Sequence, residues 1–293
     1  MMNFGKILAL TLLSSGLTAC VGNQAFVATP ANYQQNTSIQ LPIEKRYMQN
    51  GSFAVSSQTF ASGQKEYSTY KIWYPTDIAK SGKKYPLVIM ANGTGITFDK
   101  YEPVFEHLAS WGFIVVGNND KSAMFGKSTS ETLDFALALN QDRNSPFFNK
   151  INSQQIGVAG HSQGGMGAVS AAIYYPNSHL YKAVFSASAG HDEVAKLKVP
   201  YFLMTGTTGA EKFLANPEKT LSQFNGLNNN GLSVLARRKD TGHGEMLYMG
   251  NGYMVAWFRY LLQQDGQAGQ AFIGNNPEIA RNPLWQDVKI KGH

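Results

Sequence analysis

Short apolar runs recur along the middle of this chain, separated by stretches with helical spacing. Tyr85-Pro86-Leu87-Val88-Ile89-Met90-Ala91 and residues 113–116 are continuous, and the largely apolar residues 181–186, 200–206 and 232–236 read as further strands. Unbroken runs of this kind suit strands covered on both faces. Between them, residues 101–111 set Val104, Phe105, Leu108 and Trp111 on one helical face, and residues 131–142, 214–227 and 252–263 read as further helices. Earlier, residues 53–60 and 67–74 alternate apolar and polar side chains, which predicts two strands joined near Ser62-Gly63. Buried strands alternating with helices imply βαβ units and a mostly parallel sheet. The two early strands have no helix between them and form an antiparallel N-terminal edge. Residues 265–293 read as an irregular tail with one short helix.

One stretch organises the rest. Gln155-Ile156-Gly157-Val158-Ala159-Gly160 is a strand, and a small-residue helix follows from Gln163 to about Tyr175. Between them stands Gly160-His161-Ser162-Gln163-Gly164, the G-x-S-x-G pattern of a nucleophile elbow in the strand–turn–helix context that pattern requires. A turn this sharp brings backbones together, and Gly160, Gly164 and Gly165 supply the missing bulk. The helix aims its first N–H groups at the place where negative charge would develop on a reacting carbonyl.

Composition adds the setting. The 293 residues are 43% apolar and 15% charged, enough for a substantial core. Net charge is +6, but the 25 Lys and Arg are scattered, so no basic stripe for nucleic acid is expected. Lys6 and the apolar residues 7–17 form a signal-like start, followed by Leu17-Thr18-Ala19-Cys20, whose Cys20 is the only cysteine. This resembles a bacterial lipobox. It implies cleavage before Cys20, lipid attachment to Cys20, and a bacterial envelope protein anchored through acyl chains, outer membrane facing periplasm or surface. Each buried methylene of such a chain adds about 0.8 kcal/mol. Residues 1–19 are read as signal peptide, 20–45 (rich in Asn, Gln, Thr and Ala) as a flexible tether, and 46–293 as one domain.

The order Ser, acid, His over residues 53–272 resembles the α/β-hydrolases. Tyr74-Pro75-Thr76, Leu108-Ala109-Ser110-Trp111-Gly112-Phe113, the elbow, and Ala256-Trp257-Phe258 are similar to the dienelactone hydrolase, chlorophyllase and bacterial cutinase branch. The resemblance implies an α/β-hydrolase fold with helices on both faces of the sheet and no large cap domain. It also implies a serine hydrolase that cleaves carboxylic esters through an acyl-enzyme and needs no cofactor. The alternatives are another acyl bond (lactone, thioester or amide) or an inactive, hydrolase-like binding lipoprotein.

A serine hydroxyl needs a base. His243, in Thr241-Gly242-His243-Gly244 after the last expected strand, lies where the fold resembled carries it. That fold places an Asp just beyond the strand ending at Gly206. Here Thr207-Thr208-Gly209-Ala210-Glu211 offers only Glu211, with Asp192 as the alternative acid and Asp240 and Glu245 behind them. The oxyanion donors implied are the N–H of Gln163 and, by the family pattern, that of Thr94. His161 and His191 are candidates to line the substrate cleft, the other readings being that His161 packs and that His191 has a surface role. His107 and His179 are read as structural or solvated. No set of His, Asp or Glu has convincing metal spacing. The short link between residues 186 and 200 leaves no room for a lid, so an open cleft for bulky or polymeric esters is expected. Ala189-Gly190-His191 stands where polyester hydrolases carry an aromatic platform, and their paired cysteines are missing. Both departures weigh against aromatic polyester.

Overall fold

The computed structural model describes residues 27–229 and 231–292. Cys20 and the signal-like start lie outside the described residues. A nine-stranded sheet runs in the order β1-β2-β4-β3-β5-β6-β7-β8-β9. β1 (Val55–Ala61) and β2 (Thr69–Pro75) form the antiparallel edge, and β2 pairs antiparallel with β4 (Ile114–Asn118). β4, β3 (Tyr85–Ala91), β5 (Ile151–His161), β6 (Tyr181–Ala187), β7 (Tyr201–Thr205) and β8 (Ser233–Arg238) are parallel.

Strand alternation sorts the core into two layers. Val88, Met90, Val115, Phe185, Phe202 and Val234 face one cluster, while Leu87, Ile89, Ile114, Val158, Val184 and Leu203 face the other. The helices Glu102–Ser110 and Asn251–Gln263 cover the first layer with Phe105, Leu108, Trp257 and Phe258. Lys127–Gln141, Gln163–Tyr174 and Pro217–Asn225 cover the second with Leu133, Val169 and Phe224. A mostly parallel sheet with an antiparallel N-terminal edge is as the chain's periodicity implies, and helices on both faces are as the resemblance implies.

Two expectations are corrected. From residue 27 onward the supposed tether is docked: Tyr33, Ile43, Glu44 and Tyr47 are buried, and Pro42–Met48 is a helix. Glu44 pairs with buried Arg238 at 3.0 Å and accepts from Asn282 and Trp285, while Glu278 accepts the N–H groups of Ile43 and Glu44. The C-terminal tail, expected to be irregular, carries β9 (Trp285–Lys291), antiparallel to β8. The N-terminal helix and the tail therefore hold one another through a buried polar cluster.

Candidate active site

The loops at the C-terminal ends of β3, β5, β7 and β8 meet at Ser162. Its backbone has φ 57° and ψ −128°, a conformation L-residues rarely adopt, held by Ser162 N–H donating to Ala187 O at 2.8 Å. The glycines explain how this folds. A Cβ on Gly160 would come within 2.0 Å of Gly164 O, and one on Gly164 within 2.2 Å of Ala91 O. Only a chain without side chains at both positions can pass the elbow against β3.

His243 opens a 3-10 turn, His243–Glu245, and is buried. Its Nε2 is 2.8 Å from Ser162 Oγ and its Nδ1 2.6 Å from Glu211 Oε2. An ionised carboxylate only accepts, so Nδ1 carries the proton and Nε2 is left to accept from the serine hydroxyl. Glu211, wholly buried, also accepts the Gly206 N–H at 2.8 Å through Oε1. Thr207 and Thr208 N–H both donate to Thr241 O, which ties the Glu211 loop to the His243 loop. Between the two candidate acids the geometry favours Glu211. Asp192 is exposed and bound instead to Lys219 at 2.9 Å and Gln223 at 2.7 Å, which hold its carboxyl below the usual carboxylate range.

Gln163 is the first residue of its helix, so its N–H has no partner within that helix. Thr94 is exposed, and its N–H takes no partner among the described residues. The Thr94 loop is fixed from behind. Buried Asn92 donates to Asn118 O and Asp120 O, Gly93 N–H to Tyr101 Oη at 3.3 Å, and Gly95 N–H to Lys121 O.

Both histidines offered as cleft-lining candidates are buried. His161 is 1% exposed; its Nδ1 lies 2.8 Å from Tyr101 Oη and its Nε2 2.6 Å from His243 O. Burial, then the neighbouring His243 and Lys100, hold its pKa well below the ordinary imidazole range. His191 is buried against the elbow helix, 3.1 Å from Ser170 Oγ, with Nδ1 accepting the Glu193 N–H. Tyr101 is a hydrogen-bonding member of the site. Its helical spacing announces burial but not what its hydroxyl meets. No group of three His, Cys, Asp or Glu among the described residues could hold a metal ion.

Comparison with known proteins shows the family. A family model described as PET hydrolase-like matches residues 43–287. The chain belongs to that family. The match takes in the docked helix Pro42–Met48 from its second residue, the whole parallel sheet and part of β9. The chain is also similar to a chloroplastic chlorophyllase-1 of Citrus sinensis, 27% identical over 125 residues, 40% of this chain and 36% of the relative. Chlorophyllase type 0 of Chenopodium album is 27% identical over 127 residues, again 40% and 36%. The alignments thus span about a third of the length of these curated relatives.

Proposed function

We propose that this PET hydrolase-like protein is a serine hydrolase of carboxylic esters. The carrying observation is the unbroken chain Ser162 Oγ–His243 Nε2 at 2.8 Å and His243 Nδ1–Glu211 Oε2 at 2.6 Å. Ser162 Oγ attacks the ester carbonyl while His243 Nε2 takes its proton. The carbonyl oxygen becomes an anion beside the N–H groups of Gln163 and Thr94, donors already fixed in place before the charge develops. The C–O bond to the alcohol then breaks as His243 returns the proton to the leaving oxygen, giving an acyl-serine. Water repeats the sequence and releases the acid. Glu211 keeps the imidazole in the required tautomer and stabilises its cation.

The link from β6 to β7 holds only the short turn Val194–Lys196, so no cap covers the strand ends there, which supports access by bulky esters. His191 is turned onto Ser170, and no aromatic side chain stands at residues 189–191. This favours aliphatic or mixed esters over stacked aromatic polyester. A chromogenic short-chain ester tests the reading. Turnover by wild type, its loss in Ser162→Ala by about 10⁴-fold or more, and labelling of Ser162 by a phosphonate are expected. An inactive, unlabelled wild type would refute it. The lipobox supports anchoring at Cys20: an alkynyl palmitate fed to expressing cells should label the chain, and Cys20→Ser should not be labelled.

A further inference from the structure

His161 sits at the end of β5, one residue before the serine, yet reaches neither Ser162 nor open space. Its two ring nitrogens fix its state by simple accounting. The His243 carbonyl can only accept, so His161 Nε2 carries the proton and donates across 2.6 Å. Its Nδ1 is then an acceptor, filled by the Tyr101 hydroxyl at 2.8 Å. The Tyr101 oxygen in turn accepts the Gly93 N–H at 3.3 Å. The donors run in one direction: Gly93 N–H to Tyr101 Oη–H to His161 Nδ1, then His161 Nε2–H to His243 O. At one end is the residue preceding Thr94. At the other is the backbone of the base. The middle is anchored to the strand that carries the nucleophile.

We propose that His161, as the neutral Nε2–H tautomer, is a positioning residue that sets the backbone of His243 relative to Ser162 and joins it to the Thr94 loop through Tyr101. This rests on the serine-hydrolase reading for its kinetic consequence, though not for its geometry. His243 lies on a Gly-flanked turn, and its side chain is aimed from the backbone that His161 holds. Orientation losses of about 1 Å in such groups cost on the order of 10²-fold in rate. A substrate-binding role for the same position predicts the opposite pattern, a change in KM with kcat preserved.

Two substitutions separate the bonds. In His161→Gln the amide nitrogen lies about as far out as Nε2 and can still donate to His243 O. In His161→Asn the shorter amide can meet Tyr101 but falls short of His243. Each variant leaves one buried polar group without its partner, so thermal midpoints should drop in both. Only His161→Asn should lose turnover, by about 30-fold or more in kcat with KM within about twofold, while His161→Gln stays within about threefold of wild type. Equal kcat losses in both, or a raised KM with unchanged kcat in His161→Asn, would overturn the proposal. Nitrogen-15 NMR of the full chain labelled at histidine reads the same point without any substrate. His161 should show a protonated Nε2 and a bare Nδ1 down to pH 5, and the His243 ring signals should shift more in His161→Asn than in His161→Gln. A protonated Nδ1 at His161 would refute it. A wild type that neither turns over ester nor reacts with the phosphonate would instead refute the hydrolase reading and leave the NMR result to decide this one.

Discussion

Ser162, His243 and Glu211 lie 81 and 32 positions apart in sequence, and backbone constraints at each bring them together. The Ser162 turn is set by two glycines, His243 by its turn, and Glu211 by the Gly206 N–H that pins its second oxygen. Glu211 reaches His243 because the loop after β7 begins a short helix there, Glu211–Leu214, and its side chain also spans back to Gly206. Glu211→Ala should lower kcat by about 10³-fold, since the imidazole loses both its tautomer control and its counter-charge. Asp192→Ala should change kcat by less than about twofold, its partners being surface groups. Steady-state kinetics on one soluble ester checks both, and the reverse order would reassign the acid. The juxtaposition of Ser162 and His243 was legible because small residues flank both for steric reasons visible in the sequence. His161 was not: its depth depends on β5 ending against the His243 loop, and an imidazole between Gly and Ser looks the same whether it faces substrate or a carbonyl.

The elements misread from sequence failed for local reasons. The N-terminal segment is polar on average, and its anchors Tyr33, Ile43 and Tyr47 are sparse, so no helical stripe emerges. Glu44, an apparent surface acid, is the most buried member of its cluster, and nothing beside it in sequence announces Arg238 or Trp285. β9 hides its alternation. Asp287 adopts φ 53° where the pairing with β8 shifts register, so Trp285 and Val288 stand three positions apart rather than two. Burial raises the Glu44 carboxyl pKa against the pull of Arg238, and burial likewise lowers that of Arg238. Such a pair adds little over an apolar one but is costly to break. Glu44→Ala strands a buried guanidinium and should cost about 3–5 kcal/mol in chemical unfolding, with kcat retained where the fold persists. A loss under about 1 kcal/mol would mean that other contacts dock the N-terminal helix. At the elbow, Gly164→Ala sets a methyl into the Ala91 carbonyl. It should cost about 2–3 kcal/mol and most of the activity, as β3 and the elbow helix move apart.

Across the whole molecule, three imidazoles, those of His107, His161 and His191, lie where burial makes a proton unwelcome. His107 donates from Nε2 to Gln49 O at 2.7 Å and accepts from Asn251, which also donates to Tyr33; this joins the docked N-terminal segment to the helix Asn251–Gln263. Burial lowers the His107 pKa from 6.5 to about 4, and His161 is lowered too. A histidine lowered in the folded state gives its full stability above the unfolded value, near 6.5, and loses it as pH falls toward the folded value, because in that window only the unfolded chain binds the proton. For His107 this is about 3 kcal/mol lost between pH 6.5 and 4, or about 5–10 °C in the thermal midpoint for a chain of this size. His161 and His191, lowered too, act in the same direction. Glu44, whose pKa is raised, acts oppositely from its own ordinary value upward. The net fall should therefore be steepest between pH 6.5 and 5, and His107→Gln should flatten it while lowering the midpoint at pH 7. Calorimetry at half-unit steps from pH 7 to 4.5 reads this directly. A midpoint that holds level through that range, or a slope unchanged in His107→Gln, would mean that the imidazole beneath the N-terminal segment accepts its proton without releasing Asn251 and Tyr33.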